Sequence, residues 1–144
     1  MSVKNFFSQE EKNKILEAIQ QAEKNTSGEI RVHLDATCNS NHLVKAEKIF
    51  NKLKMDETQL RNGILFYLAV KSKDFTVYGD KGIHEKVGAD FWNSITEKAV
   101  NKFKSEHYCD GLVEAIQDCG QQLKHYFPFQ QNDKNELNDE ISFG

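Results

Sequence analysis

The stretch that most constrains the fold is Ile64–Val70, seven consecutive apolar residues with no polar alternation. A strand of this kind is typical of the interior of a sheet whose two faces are both covered. Arg61, Asn62 and Gly63 stand immediately before it in the chain. We therefore expect a layered α/β fold that places a cation, an amide and a flexible turn at the amino end of its central strand.

Helical and strand-like patterns alternate before this central run. Two helices are predicted, over Ser8–Lys24 and over a segment that ends near Lys54, because apolar residues recur there at helical spacing. Between them, Glu29–Asp35 alternates strictly, and its polar side includes His33, which we expect at the surface. A strand, a helix and a second strand of these lengths form a right-handed βαβ unit, so the two strands should be parallel.

After the central run, the sequence predicts one more strand and two helices. The polar turn Lys71–Asp74 leads into Phe75–Gly79, which should return antiparallel. The next segment, with glycines at positions 79, 82 and 88, is predicted as a loop, and a helix should begin at its N-cap Asp90. A last helix opens near Asp110 and stops at Pro128. The order αβαββαα predicts a three-layer α/β/α sandwich around a small mixed β-sheet.

Length and charge limit the classes of protein that this chain can represent. Its 144 residues suit one domain, which we place at 6–128, followed by a polar, acidic tail at 129–144 that we expect to be disordered. The net charge of -3 is carried by that tail, and a near-neutral domain argues against binding of nucleic acid. Without a long apolar span or a signal-peptide pattern, we expect a cytoplasmic protein with no direct membrane insertion.

Acidic and amide side chains cluster at one predicted end of the sheet. The start of the first strand, the start of the second and the end of the third should meet there, and they supply Glu29, Asn62 and Asp80. Glu85 and Asp90 follow in the glycine-containing segment. Calcium and magnesium favour oxygen ligands that converge from different segments, so this set predicts a divalent-cation site. The alternative is that these residues only cap helices and form turns.

A second acidic group is predicted at the opposite end of the sheet. Asp35 follows the first strand, Asp74 lies in the hairpin turn and Asp110 precedes the last helix. This end is the usual ligand crevice of parallel sheets, so it stays open as an alternative location for a site. The sequence contains no P-loop, no H-E-x-x-H zinc motif and no cysteine followed by the loop and arginine of a cysteine phosphatase.

Five stretches resemble a known family when they are taken in order. They are "TSGEIRVHL", "AEKIF", "NGILFYLAV", "FTVYGDKGI" and "YCDGLVEAI", and together they make about Phe6–Phe127 similar to the TPM domain. The resemblance is closest to the short stand-alone version found in bacteria such as flavobacteria. It implies an α/β/α sandwich and divalent-cation binding. It also implies acid phosphatase activity, as in plant members, or an auxiliary protein role, as in an animal member.

Three functions follow from the residues and the resemblance together. The first is a stand-alone TPM domain that binds calcium or magnesium. The second is a metal-assisted acid phosphatase in which Arg61 binds phosphate and stabilises the developing charge. The third is a non-enzymatic interaction module whose acidic tail or Phe127-Pro128-Phe129 segment contacts an unidentified protein partner.

Overall fold

The structure is a computed structural model, and it describes residues 3–128 and 141–144. In these ranges the helices are α1 (Gln9–Glu23), α2 (His42–Lys52), α3 (Lys81–Lys104) and α4 (Tyr108–Tyr126), and the strands are β1 (Glu29–Asp35), β2 (Gly63–Ala69), β3 (Asp74–Gly79) and β4 (Ser142–Phe143). The sheet order is β3-β2-β1-β4. Within these residues, no helix combines the length and the apolar character that crossing a membrane requires.

Two apolar layers cover the two faces of the sheet and confirm the three-layer α/β/α sandwich. Alternate residues of β1 and β2, such as Val32 and Phe66, pack in one core with α1, α3 and α4. Leu65 and Tyr67 point to the opposite face and pack against α2. All seven residues of β2 are buried, as the unbroken apolar run predicts. Each large apolar side chain that is fully buried contributes about 1.5–3 kcal/mol relative to exposure.

The strand pairing also follows the prediction from the sequence. β1 and β2 are parallel, with Glu29 opposite Gly63, and α2 forms the crossover between them. β2 and β3 are antiparallel, with Ile64 opposite Gly79. The amino ends of β1 and β2 therefore lie beside the carboxyl end of β3, which is the geometry that the predicted cation site requires.

The predicted loop after β3 is wrong, because the chain forms a helix there. Asp80 caps this helix by accepting a hydrogen bond from the Lys81 backbone N–H at 2.8 Å, and Ile83 anchors the first turns in the core. The helix breaks at Gly88, whose φ of 73° and ψ of 176° are not helical. Asp90 lies inside the second part of α3, so its predicted role as the N-cap is also wrong.

The carboxyl-terminal region differs from the predicted tail where it is described. Most of the tail, 129–140, lies outside the described residues. Its last residues form β4, which runs parallel to β1 and places Ser142 opposite His33. The Gly144 N–H extends this pairing by donating to the Leu34 carbonyl at 2.9 Å. These backbone hydrogen bonds, which composition does not reveal, are the physical reason that 141–144 are ordered against the sheet.

The segment after α4 is fixed to the start of β1. Phe127 is buried, and its backbone carbonyl accepts hydrogen bonds from the Thr26 hydroxyl and from the Ser27 N–H. Pro128 pairs with Thr26 in an isolated antiparallel bridge. Phe127 is therefore part of the core and is not available as the exposed contact that the interaction hypothesis requires, while Phe129 lies outside the described residues.

Candidate functional site

The structure brings three of the five predicted cation ligands together at the amino end of the parallel strands. Glu29, Asn62 and Asp80 are all buried there, with exposures of 4%, 2% and 4%. The Glu29 N–H donates to the Asn62 carbonyl at 3.2 Å, which joins the starts of β1 and β2. The three residues, called the buried cluster below, therefore lie at the same end of the sheet.

In this cluster Asp80 is engaged by protein groups on both oxygens. Arg61 donates from Nε to Asp80 Oδ2 at 2.7 Å and from Nη2 to Asp80 Oδ1 at 2.9 Å. Oδ1 also accepts the Lys81 backbone N–H that begins α3. The hydrogen bond with Asp80 raises the pKa of Arg61. A bidentate pair of this kind fixes the loop before β2 against the start of α3.

Asn62 joins two further segments in the same region. Its backbone N–H donates to Thr58 Oγ1 at 3.2 Å, and its side-chain Nδ2 donates to the Ser27 carbonyl at 3.0 Å. These bonds connect the loop before β2 with the loop before β1. The Asn-Gly signal before the central strand thus marks a point where two loops are joined.

Glu85 and Asp90 lie apart from the buried cluster. Both are exposed on α3, on either side of the break at Gly88. Asp90 lines a shallow groove between α3 and α4 that also contains Lys98 and Asp118. Among residues 3–128 and 141–144, no group of three or more His, Cys, Asp or Glu side chains is arranged to hold a metal ion. Cation binding by the five predicted ligands therefore stays a prediction.

A larger cavity lies on the α2 side of the sheet and reaches the carboxyl end of β1. It has a volume of about 450 Å³ and opens between α2, β1 and β4. We call it the carboxyl-end crevice and define it by its polar lining, which consists of His33, Asp35, Thr37, Lys45, Lys52 and Ser142. Of the second acidic group considered from the sequence, only Asp35 lines it, while Asp74 begins β3 and Asp110 is exposed in the first turn of α4.

Four side chains form a continuous hydrogen-bonded chain along the floor of this crevice. The Tyr67 hydroxyl donates to Asp35 Oδ2 at 2.6 Å, and Asp35 Oδ1 lies 2.9 Å from His33 Nε2. The other ring nitrogen, His33 Nδ1, lies 2.7 Å from Ser142 Oγ. The His33 and Tyr67 rings are stacked with an angle of 7° between their planes. Three of the four residues are buried, and Ser142 is partly exposed.

The protonation states along this chain follow from burial and from the hydrogen bonds. Burial lowers the pKa of His33, although the hydrogen bond with Asp35 opposes that shift, and the charge of Lys45 lowers the pKa further. Burial and the hydrogen bond with Asp35 raise the pKa of Tyr67, so its hydroxyl remains a donor. Because Asp35 accepts from Nε2–H, the neutral His33 has an unprotonated Nδ1 that accepts from the Ser142 hydroxyl.

The expectation that His33 lies at the surface is wrong, since only 4% of the residue is exposed. Alternation assigns His33 correctly to the face opposite Val32, but it does not show that α2 lies on that face or that β4 extends the sheet beside His33. The placement of Lys45 and Lys52 on one side of α2 could have been predicted, because residues seven apart on a helix share one side. Ser142 had little signal, since it lies in a short apolar segment at the end of a polar tail.

Comparison with known proteins decides the family. The family model described as the TPM domain matches residues 2–122, which is most of the chain. The chain belongs to the TPM domain family. Among curated proteins, none is significantly similar to this TPM domain.

Two solved structures show how widely the fold is shared. The NMR structure of BA42 from the psychrophilic bacterium Bizionia argentinensis is 45% identical in sequence, with a TM-score of 0.92 and 96% of each chain covered. The NMR structure of the N-terminal domain of cg2496 from Corynebacterium glutamicum is 9% identical, with a TM-score of 0.67. That match covers 95% of this TPM domain and 80% of the other chain, and it shows similarity of fold alone.

Proposed function

We propose that this TPM domain binds a small phosphate monoester in the carboxyl-end crevice and hydrolyses it. The observation that carries the proposal is the pairing of two lysines, Lys45 and Lys52, with the buried chain of Tyr67, Asp35 and His33 in one cavity. The name of the matching family model, which includes the word phosphatase, agrees with this ligand class.

The lysines supply the charge that a phosphate group requires. Lys45 and Lys52 are seven residues apart on α2, so they lie on the same side of that helix and both line the crevice. Lysine ammonium groups bind phosphate oxygens as point charges and donors. Lys45 is half-buried, which reduces the screening of its charge by solvent relative to an exposed lysine. A dianionic phosphate ester therefore fits this lining better than a neutral or cationic ligand does.

The buried chain supplies a proton acceptor. His33 is neutral, and Asp35 holds its Nε2–H so that Nδ1 faces Ser142 at the edge of the cavity. A positioned general base of this kind typically contributes about 10²–10⁴-fold to a rate. Tyr67 fixes Asp35 in turn, so the imidazole is held in one orientation. The proton acceptor and the groups that orient it are therefore side chains of the crevice itself.

Calorimetric titration and hydrolysis of p-nitrophenyl phosphate test the proposal together. We expect the double variant Lys45→Ala with Lys52→Ala to weaken phosphate binding by at least about 10-fold, because two charge-assisted contacts are lost. The matched control is Lys48→Ala with Lys124→Ala, which changes net charge equally at exposed positions outside the crevice. Equal affinity in both double variants would place phosphate elsewhere and refute the proposal.

Divalent-cation binding at the amino end is the second candidate function. It is favoured by the burial of Glu29, Asn62 and Asp80 in one cluster, although Arg61 would have to release Asp80 for an ion to bind there. Calcium and magnesium titrations of the wild type and of Asp80→Ala with Asp90→Ala test it. Saturable binding that the double variant abolishes would support the amino-end site, and unchanged affinity would exclude it.

A further inference from the structure

We infer that Ser142 Oγ is the nucleophile of the carboxyl-end crevice and forms a covalent phosphate ester during turnover. This inference rests on the proposed function, since it takes the phosphoryl group of the bound monoester as the electrophile. It goes further by naming the attacking atom and the intermediate. It also gives a role to β4, which composition assigns to a tail.

The distances around the Ser142 hydroxyl show which acceptor it uses. Ser142 Oγ lies 2.7 Å from His33 Nδ1 and 3.4 Å from the Val32 carbonyl. A hydroxyl has one proton to donate, and the shorter contact is close to the ideal length. Its proton therefore lies toward His33, which is the arrangement in which a neutral imidazole activates a serine.

The groups behind His33 match the remaining requirements for nucleophile activation. A base that activates a serine has to be oriented by a third group, and Asp35 does this at 2.9 Å from Nε2. Asp35 is itself fixed by Tyr67 on its second oxygen. In His33, Nε2 holds the carboxylate and Nδ1 accepts the serine proton, whereas the serine proteases use the two nitrogens the other way round. The two tasks themselves are the same. The recognisable feature is this set of roles.

The position of Ser142 depends on the docking of β4 on β1. Ser142 lies opposite His33 and Phe143 lies opposite Leu34 in the parallel register. At the next residue a side chain is not tolerated, because a Cβ on Gly144 would overlap the Asp35 carboxylate. Ser142 is partly exposed and lines the cavity, whereas His33 is buried behind it. The serine is thus the member of the chain that a ligand in the crevice reaches first.

The proposed reaction is balanced by groups that are present together with water. Ser142 Oγ attacks phosphorus and gives its proton to His33 Nδ1, and the bond from phosphorus to the ester oxygen breaks. His33 returns that proton to the departing alcohol. Water then attacks the phosphoserine, its proton passes to His33 and from there to Ser142 Oγ, and inorganic phosphate leaves. The net reaction converts a phosphate monoester and water into an alcohol and phosphate.

An alkyl fluorophosphonate tests the nucleophile directly, because it phosphonylates activated serines and releases fluoride. We expect one adduct per chain by intact-protein mass spectrometry, located at Ser142 by peptide mapping. Ser142→Ala should remove the adduct, and His33→Gln should slow labelling by about 100-fold through loss of the base. Ser40→Ala, a serine at an exposed position outside the crevice, is the matched control and should label normally.

Failure of this inference and failure of the proposed function give different results. The inference and the proposed function are both supported if Ser142→Ala still binds phosphate and the wild-type protein is labelled at Ser142. Phosphate binding without any adduct at Ser142, or with labelling that His33→Gln leaves unchanged, overturns the inference alone. Labelling at Ser142 in a protein whose lysine variants bind phosphate normally overturns the proposed function while supporting the serine as a nucleophile.

Discussion

Removal of a single hydroxyl, in Tyr67→Phe, gives the sharpest stability test of the crevice. Tyr67 is fully buried, and its hydroxyl donates to Asp35 Oδ2 at 2.6 Å, so the substitution removes this hydrogen bond with little change in shape. A hydrogen bond to a charged group contributes about 1.5–3 kcal/mol. Only 5% of Asp35 is exposed, so water can do little to replace the lost hydrogen bond. We therefore expect a loss of about 2 kcal/mol in the free energy of unfolding.

Urea denaturation followed by circular dichroism measures that loss. With a slope of about 2 kcal/mol per molar urea for a chain of this size, the midpoint should fall by about 1 M. Tyr126→Phe is the control, since 39% of this residue at the end of α4 is exposed, and it should change stability by less than about 0.5 kcal/mol. If Tyr67→Phe is as stable as this control, the Tyr67–Asp35 bond does not hold the crevice together and the reasoning fails.

Three further predictions concern stability. Asp80→Ala should cost about 1 kcal/mol from the lost N-cap alone, whereas Asp90→Ala should stay within about 0.5 kcal/mol; equal losses by thermal denaturation would contradict the boundary of α3. Because the pKa of His33 is lowered in the folded state, the free energy of unfolding should fall as pH drops below about 6.5. His33→Gln should reduce the slope of that free energy against pH by up to about 1.4 kcal/mol per pH unit, and an unchanged slope in urea titrations would refute this. Gly120→Ala would place a Cβ 2.7 Å from the Ala22 Cβ and should destabilise the α1–α4 contact by about 1–2 kcal/mol; a rise in melting temperature would show that the helices adjust freely.

The sheet could be predicted from the sequence because its signals are local and strong. The unbroken apolar run of β2 requires cover on both faces, and the spacing between β1 and β2 leaves room for one crossover helix. By contrast, the first part of α3 was predicted as a loop because of its glycines. Gly82 is needed there because a Cβ would overlap the Leu60 and Arg61 carbonyls, which is a tertiary constraint that a count of glycines does not show.

The candidate site was only partly predictable for a related reason. Sequence alternation gives the face of a strand, so His33 and Asp35 could be assigned to one side of β1. It does not show that α2 lies on that side or that β4 pairs with the edge of β1. At the other end, strand ends place Glu29 and Asp80 beside each other in the sheet, whereas the exposed Glu85 and Asp90 lie apart from them. The hydrogen bonds of Asp80 to Arg61 and to the backbone, which decide what this carboxylate does, are visible only in the folded chain.

The most direct test of the central claim is a titration with inorganic phosphate, followed by the amide resonances of the whole protein and by the imidazole resonances of His33. Binding in the carboxyl-end crevice predicts saturable shifts at Lys45, Lys52 and His33, with the Asp80 region unaffected. Shifts confined to the region from Asp80 to Asp90, or no shifts at millimolar phosphate, would contradict it.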